Sequence, residues 1–380
     1  MINYMKYRAA SAGGTGTFSE AATKEAATKI RATMQAPSRL GFVFASPSYA
    51  EHLEDFCEIL RVDGHITDVV GSLAPGILHD ARESESGEGF TVTALSADGF
   101  APVVVGLSGK NPGQAASLRG ATPLTWIAFA DPFALPPEPW LKDWGDPVVG
   151  GLTSGEDNGC HTFLNGSIHD AVVAGISSPL RVVPFFSQGC RPIGEPLTVT
   201  RAENNIVFNL GSDAAYNALQ SAFETLTEQE KATARGNLFA GLAGTEYVEE
   251  FRPDDFLVRN ILGADPNSGA VAIGGFPRVG QTLQYQFRDA ASADTQLQSA
   301  LERTLSEWGR PVASIAFACT GRGTGLFGHS HHDASALQEG LGLHPSCGFF
   351  SNGEISPLNG KSFVHSYSLA AALIYPERPE

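Results

Sequence analysis

The stretch SIAFACTG, residues 314–321, decides the fold because it is the third occurrence of one pattern. Residues 41–47 read GFVFASP and residues 126–133 read WIAFADPF, so three short apolar runs each contain a Phe-Ala pair: Phe44-Ala45, Phe129-Ala130 and Phe317-Ala318. An apolar run this short, closed by Ser, Asp, Cys or Pro, predicts a buried strand. After a variable connection each copy reaches a second strand: VVGSLAPGI from Val69, VVGGLTSGE from Val148 and CGFFSNGEI from Cys347. These segments place two glycines five positions apart, Gly71 and Gly76, Gly150 and Gly155, Gly348 and Gly353. A third strand then follows in each copy, in FTVTALS, DAVVAGI and SLAAALI. A self-similar unit of this kind is one supersecondary block used three times.

Working outward, TFSEAATKEAATKIRATMQ predicts a helix, with Thr17 and Glu20 spaced as a capping box. Ser212 leads a second helical segment, Thr227 and Glu230 form another capping box, and Leu297, Leu301, Leu305 and Trp308 make a helical stripe. Residues 256–290 read as strands parted by Pro/Gly turns. Strands and helices mixed in this way predict an α+β fold: two related subdomains of stacked, mostly antiparallel sheets flanked by helices, with internally repeated strand-helix-strand-strand blocks. The boundaries expected are a helical lead-in over 1–36, a first half over 37–210 and a second half over 211–376, with the division near 200–225.

The totals agree with this architecture. At 380 residues the chain exceeds what one core usually holds, so about two domains are expected. Charged residues are 17% of the chain and glycines number 42, a composition of buried strands and tight turns. A net charge of -16 repels polyanions, and no Lys/Arg cluster is long enough to neutralise several phosphates, so nucleic acid is not an expected partner. The same sign disfavours anionic membrane surfaces, no apolar run approaches the ~18 residues of a spanning helix, and MINYMKYRAASAGG lacks the apolar core of a secretory signal. A cytoplasmic protein is expected. The five cysteines, Cys57, Cys160, Cys190, Cys319 and Cys347, are odd in number and far apart, which predicts reduced thiols.

Four chemistries compete in PVASIAFACTGRGTGLFGHSHHDASALQEGL, residues 311–341. Gly323, Gly325 and Gly328 satisfy GxGxxG after a strand, but HSHHD intervenes where a dinucleotide loop should run directly into its helix. His329, His331 and His332 are metal-ligand types without the i, i+4 spacing of helical ligand pairs, so no metal is expected. Cys319 with His365 and Glu354 has the residue types of an activated thiol; Cys319 equally fits a small buried strand residue. Arg322, between Gly321 and Gly323, offers five donors to a carboxylate or phosphate, and Glu354, after the paired glycines, suits an ammonium. The two could take a zwitterion between them, or bridge each other. The paired glycines themselves demand either a positive φ or a close backbone approach.

The phrases FADPF, GCRPIGEPLTVT, FLVRNILG, YQFRDAASADTQL, FACTGRGTGLFG, GFFSNGEISPL and FVHSYSLAAALI occur in order, and with them the chain resembles FIST proteins (F-box and intracellular signal transduction) over about residues 40–376. The resemblance implies a two-part α+β sensory module that binds small ligands, amino acids having been proposed, and that works with kinase, receptor or F-box partners. Here the whole chain reads as the module, so output is expected through a separate signalling partner. Some relatives are described as haem-dependent nitric oxide sensors, which makes haem the alternative cofactor; a cysteine-dependent hydrolase or transferase using Cys319 and His365 is the alternative activity, and no enzyme is the main expectation. The ligand site expected comprises Cys319, Gly321, Arg322, Gly323, Ser351, Asn352, Gly353 and Glu354, with His365 and Tyr367 behind.

Overall fold

A computed structural model describes residues 7–109, 125–155 and 161–377. In chain order its first strands are β1 (Tyr7–Thr15), β2 (Ser38–Ala45), β3 (Ile66–Leu73), β4 (Ile77–His79), β5 (Arg82–Ser84), β6 (Gly89–Ala97), β7 (Val103–Leu107), β8 (Thr125–Ala130), β9 (Val148–Leu152), β10 (Thr162–Leu164), β11 (Ser167–His169), β12 (Ala171–Ile176) and β13 (Leu180–Ser187). Eight more, β14 (Cys190–Pro192), β15 (Leu197–Glu203), β16 (Ile206–Leu210), β17 (Asp213–Ala214), β18 (Leu238–Ala243), β19 (Phe256–Asp265), β20 (Ala270–Ile273) and β21 (Thr282–Arg288), precede the last five. Those are β22 (Ala313–Cys319), β23 (Ser346–Ser351), β24 (Glu354–Leu358), β25 (Lys361–His365) and β26 (Leu369–Pro376).

The α+β class is as read, and the three blocks are real. In each, the Phe-Ala strand runs parallel to the glycine strand across a helical crossover: β2 with β3, β8 with β9, β22 with β23. The third strand of each block, β6, β12 or β26, flanks the Phe-Ala strand antiparallel. The blocks then exchange pieces. The hairpin β4–β5 of the first block adds to β23 of the third, β10–β11 of the second adds to β3 of the first, and β24–β25 of the third adds to β9 of the second. The outer strands shift the other way: β7 joins β12 and β13 joins β26, while β1 takes the corresponding edge beside β6. Three six-stranded sheets result, each built from more than one block.

One compact unit holds all three sheets and comprises residues 1–186, 298–364 and 369–380; the other comprises 187–297 and 365–368. The chain leaves the first unit after Phe186 and returns at Gln298, because the third block must supply β22–β26 to sheets begun by the first two. All three repeated blocks lie in the first unit. The second unit closes six antiparallel strands into a barrel, β21-β15-β16-β20-β19-β18 and back to β21, around Val199, Val207, Val271, Leu283 and Phe287.

The Phe-Ala phenylalanines explain why the motif repeats. Phe44, Phe129 and Phe317 meet Phe349 in the core of the first unit, with ring centroids 5.3 Å apart for Phe44–Phe129, 5.9 Å for Phe129–Phe317 and 5.6 Å for Phe317–Phe349. All four are fully buried, each such ring contributing about 1.5–3 kcal/mol by burial alone. The first glycine of every pair lies opposite the residue before the phenylalanine, Gly71 on Val43, Gly150 on Ala128 and Gly348 on Ala316. A Cβ at these glycines would stand 1.7, 2.0 and 2.1 Å from the facing carbonyl oxygen. Close approach of two parallel strands, common to all three copies, is thus their cause.

Local signals fared unevenly. The helix Glu20–Met34 exists, but its cap is Ser19, whose hydroxyl accepts from Ala22 N, and Thr17 plays no part. The Thr227–Glu230 capping box forms as read. The lead-in is not wholly helical, since β1 precedes that helix and pairs with β6 along nine residues. Among the described residues, no helix is long and apolar enough to cross a membrane.

Candidate ligand site at the strand ends of the third block

Strands β22 and β23 end side by side, with Cys319 in register with Ser351. Beyond Cys319 the chain turns sharply: Gly321 N–H donates to Cys319 Sγ at 3.4 Å and Arg322 N–H to Cys319 O at 2.8 Å. Gly323 then adopts φ +61°, a conformation that favours glycine, and starts the four-residue helix Thr324–Phe327. On the neighbouring strand Ser351 Oγ donates to Glu354 Oε1 at 2.5 Å, and Gly353 has φ +135°. Asn352 N–H donates to Leu152 O at 2.9 Å, which ties this turn to the end of β9. The first unit alone therefore assembles Cys319, Gly321, Arg322, Gly323, Ser351, Asn352, Gly353 and Glu354.

Arg322 is not the exposed loop cation that two flanking glycines suggest. Its side chain is buried and its Nε and Nη2 donate to Asp333 Oδ2 and Oδ1 at 2.6 and 2.8 Å. Burial opposes the guanidinium charge, but Asp333 outweighs it, and the charges of Cys319 and Glu354 act in the same favourable sense. Burial likewise raises the Asp333 carboxyl, yet Arg322 wins and holds it at about 2. Phe327 lies under the guanidinium at 5.2 Å and also stacks on His332, ring centroids 3.4 Å apart. The third guanidinium nitrogen, Nη1, is buried and makes no hydrogen bond.

Sequence reasoning missed the partners that lock this corner. Asp333 stood in plain sight in HSHHDASA, and a lone acid at the start of a helix eleven residues beyond a lone arginine was the available signal. Glu83 and Glu85 carried none, because they arrive on the β4–β5 hairpin of the first block. Glu83 Oε1 accepts from Ala334 N–H at 2.8 Å, while burial pushes its carboxyl up. Glu85 accepts from Thr324 N–H at 2.7 Å and Thr324 Oγ1 at 2.9 Å. A carboxylate thus sits where a dinucleotide phosphate would need those donors, which removes the GxGxxG reading.

His365 and Tyr367 fall in the second compact unit. There Tyr367 Oη donates to Asn260 Oδ1 at 2.6 Å, and its ring packs on Phe239 and under Arg288. The three clustered histidines diverge: His329 is exposed beside Ser330 O, His331 Nδ1 accepts from Glu83 N–H at 2.9 Å, and His332 Nδ1 lies 3.0 Å from Asp333 Oδ1. Among the described residues no three His, Cys, Asp or Glu side chains gather as metal ligands. Cys160 lies outside the described residues.

A groove of about 480 Å³ bordered by Glu54, Glu58 and Arg61 offers no histidine. A second of about 380 Å³ contains His344, but both ring nitrogens are engaged, Nδ1 with Gly342 O at 2.6 Å and Nε2 with Ser314 Oγ at 2.8 Å.

With this geometry established, known proteins place the chain. The FIST N domain matches residues 39–212 and the FIST C domain residues 215–357. The chain belongs to the FIST family, whose domains are associated with sensory roles in signal transduction. It is 31% identical over 348 residues to Uncharacterized protein Rv0628c of Mycobacterium tuberculosis strain H37Rv, covering 88% of this chain and 90% of that protein. It is 38% identical over 233 residues to Uncharacterized protein Mb0898c of Mycobacterium bovis and to Uncharacterized protein MT0897 of Mycobacterium tuberculosis strain CDC 1551. That match spans 60% of this chain and 60% of the length of each of those relatives.

Proposed function

We propose that this chain is a small-ligand-binding sensory protein, and that its ligand is a small carboxylate or zwitterion held at the strand ends of the third block. One observation carries the reading: Arg322 Nη1 is a buried charged donor without a partner, while the rest of the guanidinium is fixed by Asp333. Leaving such a donor unsatisfied costs about 1–3 kcal/mol, more when it is charged, so an acceptor oxygen delivered there gains a prepared site. Ligands in folds with parallel strand pairs bind beyond the carboxyl ends of those strands, where this turn lies. Glu354 supplies the countercharge for an ammonium, and the Ser351 hydroxyl holds its carboxylate in place. A separate signalling protein would read the occupied state.

Thermal unfolding with acetate, pyruvate, glycine and glutamate tests this reading. At least one should raise the unfolding midpoint saturably, a ligand at a hundred times its Kd adding about 2.7 kcal/mol. The double variant R322M/D333L, which replaces the ion pair by apolar groups, should lose that response. No response in the native chain, or an equal response in the double variant, contradicts the proposal.

A further inference from the structure

We infer that Cys319 is a modification site: small hydroperoxides convert its thiol to a sulfenic acid, whose oxygen is received by Arg322 Nη1. The inference rests on the preceding reading of Arg322 as an open donor, but its chemistry is independent of any carboxylate.

Cys319 differs from Cys57 and Cys347 in what surrounds its sulfur. The Gly321 N–H points at Sγ from 3.4 Å, and the charge of the buried Arg322 guanidinium acts on the thiol. An N–H donor and a cation are the surroundings in which a cysteine sulfur acts as a nucleophile. Cys57 and Cys347 lie in apolar clusters. Burial pushes the Cys57 thiol up to about 12, outweighing Arg61, and pushes the Cys347 thiol up as well. Access differs too, since Cys319 retains 7% exposure where Cys57, Cys190 and Cys347 have 0%.

In the reaction the sulfur attacks the outer oxygen of the hydroperoxide. An S–O bond forms as the O–O bond breaks, sulfur is oxidised and the peroxide is reduced to an alcohol or water. The thiol proton ends on the departing oxygen. The product places an acceptor oxygen on Sγ beside a guanidinium whose Nη1 has no other acceptor. A sulfenic acid so held gains a charge-assisted hydrogen bond that the thiol could not provide.

The test treats the full chain at pH 7.5 with hydrogen peroxide or tert-butyl hydroperoxide and a dimedone trap for sulfenic acid, and reads each cysteine by peptide mass spectrometry. Cys319 should be trapped at least about tenfold faster than Cys57, Cys190 and Cys347. R322Q should slow Cys319 by about tenfold, whereas R322K, which keeps the charge, should retain most of the rate. Equal rates at the four cysteines, or a Cys319 rate unchanged in R322Q, overturns the inference; should R322Q not fold, the ranking within the native chain decides. A chain that a carboxylate stabilises while Cys319 stays inert loses this inference and keeps the ligand reading. A reactive Cys319 in a chain that no carboxylate stabilises does the reverse.

Discussion

Arg322 and Asp333 meet in a buried two-point contact, with Nε on Oδ2 and Nη2 on Oδ1 at 2.6 and 2.8 Å. Neither side chain has more than 1% of its surface in solvent. The contact fixes the plane of the guanidinium and thereby the direction of its third nitrogen.

Breaking that contact from one side should be costly. Asp333→Asn leaves a buried cation uncompensated and is expected to lower stability by about 3–5 kcal/mol in urea unfolding, whereas R322M/D333L should cost far less than either single change. Single and double variants of equal stability would show that the pair does not act as a unit.

Two buried carboxyls of this corner, Asp333 and Glu83, predict opposite pH responses. Asp333, held at about 2 against an ordinary 3.8, contributes stability that is fully present above about 4 and is lost as pH falls toward 2. Glu83 is raised by burial above its ordinary 4.5, so its contribution is full below 4.5 and declines as pH rises through its folded value. Glu83→Gln keeps an acceptor for Ala334 N–H and removes the buried charge; its unfolding midpoint should exceed that of the native chain at pH 7 and converge on it below pH ~4. A midpoint lowered at pH 7 would contradict this account.

The glycines of the repeat separate structure from site. Gly71→Ala, Gly150→Ala and Gly348→Ala each drive a methyl into a facing carbonyl and should destabilise by about 3 kcal/mol or more. Gly325→Ala, with no atom within 4 Å of its added Cβ, should be tolerated. Comparable midpoints across the four variants would refute the close-approach explanation.

Removing one ring from the shared core tests whether the three blocks form a single folding unit. Phe129→Ala should cost about 3–5 kcal/mol. Because its ring lies within 6.3 Å of Phe42, Phe44, Phe317 and Phe349, hydrogen exchange should rise in β2 and β22 as well as in β8. A rise confined to β8 would mean that the blocks open independently.

How much of this was legible in the chain divides along local and non-local lines. The triplicated Phe-Ala strands, the glycine spacing and the Thr227 capping box are written within short windows, and each appears as read. The exchange of hairpins between blocks is not, because nothing inside ARESESGEG indicates that Glu83 and Glu85 will lie against a helix about 250 residues away. Nor does the spacing FVHSYS reveal that His365 and Tyr367 join the second unit. At the site, composition identified Arg322 as unusual; its partner Asp333 depended on a loop that curls back on itself, which no periodicity encodes.

The ligand reading turns on one nitrogen, and the Arg322 side-chain resonances report on it directly. With guanidinium-labelled arginine, and assignment by the signals missing from R322K, titration with the stabilising carboxylate should shift the Arg322 signals saturably, at the same midpoint concentration as the thermal effect. Stabilisation by that carboxylate with the Arg322 signals unmoved would place the ligand elsewhere and contradict the account.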